Sequence, residues 1–454
     1  MDVFGSSGTR GVANEDITPA FVLQVVAAAG TVWEADRTAV AHDTRLTGRM
    51  LENAAVSGLQ SVGCDVDRLG VIPTPGAQAY AASEATPAVM ITASHNPPEY
   101  NGIKLIGPDG TELSVSELET VEEVFLSESD GVCSWRRTGS ERRIENATQR
   151  YIDGVLDAVN REPIANADLT VALDPGHGAA SLTSPQIFRE LGCRVITVNA
   201  QPDGRFPGRD PEPVETNLSD LGRLVATSDA DLGIAHDGDG DRAIFFDESG
   251  GYIEGDAALA ALANAELEAE NATVAAVNVS QRLVDVCDQT GTTLELTPIG
   301  STYITSRIQQ LHAEGIAVPI AGEGNGGIYF PEYSLARDGA YIGARFLSLI
   351  AEQPASELVE PFGGYHNVRL KIGYGSREER DAMLRAVETV SERADADRTT
   401  TDGVRLDYGD GWVLARPSGT EPVIRVYAEA HEKNRAEELA SRLYDAACEA
   451  RESV

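Results

Sequence analysis

Ile91-Thr92-Ala93-Ser94-His95-Asn96-Pro97-Pro98, continued by Asn101-Gly102-Ile103-Lys104, is the stretch from which the rest of the chain can be read. Before it, Ala88 to Ile91 is apolar and includes the strand formers Val89 and Ile91. The composition then turns abruptly to Asn, Pro and Gly. Such a loop cannot continue a sheet, so the strand ends there and the loop is expected to open onto a surface with Ser94 exposed. The serine has His95 beside it and Lys104 further along, residue types suited to covalent chemistry.

A strand emptying into a polar, glycine-rich loop recurs down the chain. Leu169 to Leu173 enters Asp174-Pro175-Gly176-His177-Gly178, and Leu232 to Ala235 enters Asp237-Gly238-Asp239-Gly240-Asp241-Arg242. Ala317 to Ala321 enters Gly322-Glu323-Gly324-Asn325. Helical segments lie between. Thr18 to Ala35 sets Phe21, Val22, Val25, Val26, Ala29 and Val32 on one face, and further helices are expected up to Gly63, at Val115 to Ser127, at Tyr151 to Val159 and after Gly255. Strands alternating with helices in this way specify β–α–β units around mostly parallel sheets.

The fold class is therefore α/β: three successive mixed α/β domains of similar architecture, at 1–150, 151–254 and 255–362, and a fourth, α+β domain at 363–454. The polar stretch Ser127 to Asn146 marks the first boundary. In the fourth unit, strands at His366 to Ile372, Val404 to Leu406, Trp412 to Ala415 and Val423 to Glu429 are flanked by helices at Arg377 to Ala394 and from Asn434. That order suits an antiparallel sheet covered by helices.

Composition narrows the function. The 454 residues carry a net charge of −36, with lysine only at positions 104, 371 and 433. Such a surface repels nucleic acid and anionic lipid, so neither is an expected partner. It suits a protein adapted to high salt, where the Debye length falls to about 3 Å and self-repulsion is screened. No apolar run approaches the ~20 residues of a membrane span. Met1-Asp2-Val3-Phe4-Gly5 does not resemble a signal peptide, and the five cysteines are scattered without a C-x-x-C pair, so a reducing cytoplasm is the expected location.

Three loops carry chemistry. Asp237, Asp239 and Asp241 alternate with glycines, so their carboxylates can converge on a hard divalent cation such as Mg²⁺. They also occupy positions 1, 3 and 5 of an EF-hand loop, with Glu248 at position 12; Arg242, where that loop needs glycine, argues against calcium. Gly322-Glu-Gly-Asn-Gly-Gly327 matches G-x-G-x-x-G, but strand-like Ile328-Tyr-Phe follows instead of the helix a dinucleotide requires. Glu323 and Asn325 suit sugar hydroxyls instead. Arg416, Ser418, Gly419, Thr420 and Arg425 form an anion cradle of hydroxyls, guanidiniums and turn amides. Gly5-Ser-Ser-Gly-Thr9-Arg10-Gly11 is a second hydroxyl-rich loop with one cation, and His177 reads as a structural loop residue.

Taken in this order, T-A-S-H-N-P, D-G-D-G-D-R and R-P-S-G-T-E-P resemble the α-D-phosphohexomutase family from Gly5 to Arg425. The resemblance implies four domains around a central cleft, each giving one loop. It implies phosphohexose isomerisation through phospho-Ser94, with one Mg²⁺ held by Asp237, Asp239, Asp241 and the phosphoserine, and with a hexose 1,6-bisphosphate as intermediate and primer. Arg10 would contact the phosphoserine, His95 and Lys104 would move protons, and Arg242, Glu323 and Asn325 would meet the substrate. Arg416, Ser418, Gly419, Thr420 and Arg425 would clamp the phosphate that is not reacting. Many relatives read E-x-S-G-H where this chain has Glu323-Gly-Asn325-Gly-Gly327, a form that resembles archaeal phosphoglucosamine mutases and implies glucosamine phosphate as the sugar phosphate. A phosphomannomutase or phosphoglucomutase is the nearest alternative. A metal-dependent sugar phosphatase needs no second phosphate cradle, and a passive binding protein needs no serine, histidine and lysine set.

Overall fold

The computed structural model describes residues 3–5, 8–127, 131–418 and 422–453, and its strands fall into four sheets in chain order. The first contains β1 (Thr9–Val12), β2 (Arg37–His42), β3 (Asp65–Val71), β4 (Ala88–Ile91), β5 (Tyr100–Ile106) and β6 (Glu141–Arg143), in the order β1-β5-β4-β2-β3-β6. β4, β2, β3 and β6 are parallel, whereas β5 and β1 turn antiparallel at one side. The second contains β7 (Thr170–Asp174), β8 (Arg194–Thr197), β9 (Leu232–Ala235), β10 (Ile244–Phe246) and β11 (Tyr252–Ile253), in the order β11-β10-β9-β7-β8. The third, β13-β12-β14-β15, contains β12 (Ala272–Ala276), β13 (Thr293–Thr297), β14 (Ala321–Glu323) and β15 (Gly327–Tyr329). In both, parallel strands end in an antiparallel hairpin. The fourth sheet is wholly antiparallel: β16 (His366–Gly373), β17 (Asp397–Thr399), β18 (Val404–Asp407), β19 (Gly411–Pro417) and β20 (Val423–Ala430), in the order β16-β20-β19-β18-β17.

The first three sheets share one core. Met90, Leu173, Ile234, Leu259 and Phe346 belong to a single buried apolar cluster, through which the helix Ala147–Ala158 passes with Tyr151, Ile152 and Val155 inward. Phe245 stacks on Phe346 at 4.1 Å. Asp338 caps the helix Gly339–Ile350 by accepting from the amides of Ala340 and Tyr341, and it also accepts from the hydroxyls of Tyr151 (2.8 Å) and Tyr333 (3.0 Å). A cap is worth about 1 kcal/mol; this one also ties two units together. The fourth sheet has its own core around Leu406, Val413, Val426 and Leu443. It docks on the third unit through Trp412, packed with Val277, and through Arg405, which donates to the carbonyls of Val277 and Val279 at 2.7 and 3.1 Å.

Several elements differ from expectation. Lys104 lies on β5 and not in a loop, because β5 fills the space between β1 and β4 despite its Asn and Gly. The polar stretch 127–146 supplies β6, which pairs with β3. The strand expected at 317–321 begins only at Ala321, since Pro319 has no amide to donate. β8 and β17 were not foreseen. All five cysteines are free thiols. No helix among the described residues is long and apolar enough to cross a membrane.

Candidate active site

Ser94 follows the C-terminal end of β4 in the left-handed region, at φ 50°. It is not exposed: its relative accessibility is 0 %, because the aspartate loop of the second unit closes over it. The close approach depends on Gly238, where a Cβ would fall 2.5 Å from the Ser94 carbonyl oxygen. Ser94 Oγ donates to Asp237 Oδ2 at 2.8 Å and lies 3.3 Å from His95 Nδ1. Arg45, buried beneath the loop, donates to the carbonyls of Ser94 (2.9 Å), Asn96 (2.6 Å), Pro97 (2.6 Å) and Tyr100 (2.9 Å). Its Nε bonds Asp43 at 3.1 Å, and its guanidinium lies over the Phe206 ring. One side chain therefore gathers four carbonyls of the serine loop.

The aspartate loop is tied at both ends. His236 Nδ1 lies 2.8 Å from the Arg242 carbonyl, so that nitrogen carries the proton, and burial pushes the ring's pKa down to about 4. Arg209 bonds Asp174 at 3.1 Å and the His236 carbonyl at 2.6 Å. Ligand oxygens of Asp237, Asp239 and Asp241 all lie within 4.8 Å of one another. Burial and the two neighbouring carboxylates push Asp237 well above the usual carboxylate range. Burial acts the same way on Asp239 and Asp241, but Lys104 and Thr74 hold the first below its ordinary value, and Arg337 and Lys104 the second. Asp239 Oδ1 and Asp241 Oδ1 are buried without a hydrogen-bond partner. Converging, orphaned, like-charged oxygens are what a hard divalent cation satisfies. Glu248 instead accepts from the Ser356 amide at 3.2 Å, and β10 follows directly, so no EF-hand is formed.

Cations ring these carboxylates. Lys104, 1 % exposed, sits 3.2 Å from both Asp239 and Asp241 and 3.4 Å from Glu112; burial opposes its charge, but the three carboxylates raise its pKa. Arg242 donates to His95 Nδ1 at 3.0 Å, which places the imidazole proton on Nε2; Arg242, burial and Arg10 together push His95 far down, so it is neutral. Arg10 donates to Asn96 Oδ1 at 3.1 Å, and burial lowers its pKa against the pull of Asp239. Arg337 was not foreseen. It bonds Asp241 at 2.7 Å and lies 3.4 Å from Glu323, joining the second and third units. Arg45 and Arg337 are far in sequence from the groups they hold, and only the D-T-R and A-R-D-G contexts could have hinted at them.

A 710 Å³ cavity opens beside this cluster, lined by Arg242, Glu323, Asn325, Arg369 and Tyr427 among others. Glu323 and Asn325 lie in the β14–β15 hairpin, where Asn325 Oδ1 accepts from the Gly327 amide at 3.0 Å; no helix opens there, so the dinucleotide motif is excluded. Of the cradle, Arg416 pairs with Asp402 at 3.0 Å, Arg425 Nη1 donates to the Tyr427 hydroxyl at 3.5 Å, and the Ser418 amide bonds the Val423 carbonyl at 2.9 Å. Among the described residues none of these three contacts the Ser94 cluster; Arg416 and Arg425 lie on β19 and β20 of the fourth sheet, and Ser418 directly follows β19. Gly419 and Thr420, like Ser6 and Ser7 of the N-terminal loop, lie outside the described residues. His177 is a turn residue at φ 58°, its Nδ1 2.8 Å from the Gln201 carbonyl.

Comparison with known proteins finds the same four-part order. Family models for phosphoglucomutase/phosphomannomutase match as alpha/beta/alpha domain I at 1–131, domain II at 149–251, domain III at 254–365 and C-terminal domain at 375–446. A phosphoglucomutase/phosphomannomutase of Thermococcus kodakarensis is 40% identical, covering 96% of each chain. A probable phosphoglucosamine mutase of Methanocella arvoryzae is 39% identical, covering 97% of each. A crystal structure of a phosphoglucomutase/phosphomannomutase family protein from Burkholderia thailandensis superposes with a TM-score of 0.86 at 24% identity, covering 99% of this chain and 98% of that one.

Proposed function

Since the chain belongs to the phosphoglucomutase/phosphomannomutase family and is a phosphohexomutase, we propose that it interconverts glucosamine 6-phosphate and glucosamine 1-phosphate through a phosphoserine at Ser94. The observation that carries the role of Ser94 is its Oγ, 2.8 Å from Asp237 inside a ring of buried carboxylates and cations. A phosphoryl group stored there would bring about −1.5 to −2 of charge, which Arg10, Lys104 and Arg242 offset.

Asp237, Asp239 and Asp241 would hold Mg²⁺, which when bound would supply charge that polarises the phosphoryl oxygens. The protein's own part is positioning, which dominates phosphoryl transfer. Arg45 holds the serine loop in shape, while Glu323 and Asn325 grip sugar hydroxyls from the cavity wall. Arg416, Ser418, Gly419, Thr420 and Arg425 hold the phosphate at the far end. A hydroxyl at C1 or C6 attacks phosphorus as the bond to Ser94 Oγ breaks, and its proton passes by way of the neutral His95 imidazole to the freed Ser94 Oγ, while Lys104, buried and already charged, offsets the phosphoryl group. The bisphosphate turns end for end, its other phosphoryl returns to Oγ, and the product leaves with one phosphate moved.

The amino sugar is favoured by the likeness to the Methanocella relative. A wider hexose range is the second reading, favoured by the Thermococcus relative. Assaying the purified protein with glucosamine, glucose and mannose phosphates, Mg²⁺ and a bisphosphate primer decides between them. We expect kcat/KM to be highest for glucosamine phosphate; a preference for glucose or mannose phosphate contradicts this reading. Ser94→Ala should abolish turnover with every sugar.

A further inference from the structure

β16 is the edge strand of the fourth sheet, and it carries polar residues on the face turned away from the core. Ile372 enters the core with Val368 and Leu370 packed against it, which leaves Asn367, Arg369 and Lys371 on the opposite face. The register sets Lys371 opposite Arg425 and Arg369 opposite Tyr427, while on β19 Arg416 stands opposite Arg425. Lys371, Arg425 and Arg416 therefore form a row of cations across three neighbouring strands. Arg369 lies one row along, diagonal to Arg425 at about 7–8 Å. Like charges directly opposite one another destabilise a sheet; Asp402 answers Arg416 at 3.0 Å, and the row still concentrates positive charge on this face.

Arg369 stands out within this group. The chain has 72 acidic residues against 36 Lys and Arg, yet the Arg369 side chain has no hydrogen bond or ion pair among the described residues, and acts on Asp256 and Tyr252 only through its charge. It lines the 710 Å³ cavity with Glu323, Asn325 and Tyr427, and Tyr427, opposite it in the register, accepts from Arg425 Nη1 of the cradle at 3.5 Å. A guanidinium can take a phosphate with two parallel hydrogen bonds. Cations on an edge strand also serve to prevent edge-to-edge pairing; that task does not require a place in the cavity wall.

We propose that Arg369 contacts the substrate, extending the Arg416–Arg425 cradle along β16 into a two-position phosphate track that retains the bisphosphate while it turns between the two transfer steps. This rests on the bisphosphate reading above. The test compares wild type, Arg369→Gln and Arg369→Lys for KM, kcat, the concentration of glucose 1,6-bisphosphate giving half-maximal activity, melting temperature and elution volume. R369Q should raise both KM and the bisphosphate requirement roughly ten- to hundredfold, with a much smaller fall in kcat and no change in melting or elution. R369K, which keeps the charge without the fork, should fall between. A bisphosphate-dependent wild type with an indistinguishable R369Q overturns this proposal alone. So does an R369Q that associates or melts early while R369K keeps wild-type KM and bisphosphate requirement, since that is an edge guard. A wild type indifferent to bisphosphate overturns both readings.

Discussion

Replacing Arg45 with Met removes the side chain that holds four carbonyls of the serine loop, at a position 2 % exposed. The loss has two parts. Asp43, itself fully buried, loses its guanidinium partner at 3.1 Å, and breaking a buried pair from one side costs about 3–5 kcal/mol. The low end applies here, because Asp43 still accepts from Thr92 Oγ1 at 2.7 Å and from the residue 45 amide at 2.9 Å. The carbonyls of Ser94, Asn96, Pro97 and Tyr100 also lose their donor, at about 1–3 kcal/mol for each one that water does not reach. A total near 5 kcal/mol is a large share of the roughly 5–15 kcal/mol by which a domain is stable. The three units that share this core should therefore melt earlier than in wild type. Any surviving fold should have Ser94 displaced by about 1 Å, enough to cost about a hundredfold in kcat. Arg45→Lys should recover part of this, since an ammonium's three donors cannot serve all five acceptors. Hydrogen exchange over residues 92–100, read beside a coupled mutase assay, measures both effects. If R45M keeps kcat within about threefold, with wild-type protection of that loop, the reasoning is wrong.

Three other expectations follow from particular contacts. In Gly327→Ala the new Cβ would meet Arg337 Cδ at 2.7 Å, Asn325 Oδ1 at 3.0 Å and Arg337 Nη1 at 3.2 Å, so Arg337 must shift against Asp241 and Glu323. KM should rise about tenfold, and the same change should add nothing in an Arg337→Met background; additive losses would refute the coupling. Glu429, which accepts from Ser280 Oγ at 2.6 Å under the fourth sheet, is pushed by burial from 4.5 up to about 7. Between those values the folded protein binds the extra proton, so stability is full below about pH 4.5 and falls as pH rises to 7 and just above, by on the order of 3 kcal/mol. Glu429→Gln should remove that slope from the unfolding of the fourth unit measured between pH 5 and 8, and an unchanged slope would count against it. With a net charge of −36, the melting temperature should rise between low and molar salt; a melting curve indifferent to salt ends the high-salt reading.

What could be read from the chain was local chemistry. Asp237, Asp239 and Asp241 are close in space because they are close in sequence, and Ser94 is marked by the strand that delivers it. The alternation of strands and helices likewise gave the four units. What could not be read was whatever long-range packing decides. Arg45 and Arg337 act on groups far along the chain, Lys104 lies on a strand that exists only because β1 and β4 flank it, and Ser94 is buried by another unit's loop. The glycine at 327 was legible as a departure from the family pattern; that it clears a path for Arg337 was not.

The account turns on Ser94 as a phosphoryl carrier. Incubating the protein with glucose 1,6-bisphosphate labelled in its phosphates, then mapping the label by peptide mass spectrometry and chasing with unlabelled sugar phosphate, tests that directly. The account predicts one phosphoryl group on Ser94 that passes back into sugar phosphate during the chase. Label on another residue, or its release as inorganic phosphate without isomerised sugar, would contradict it.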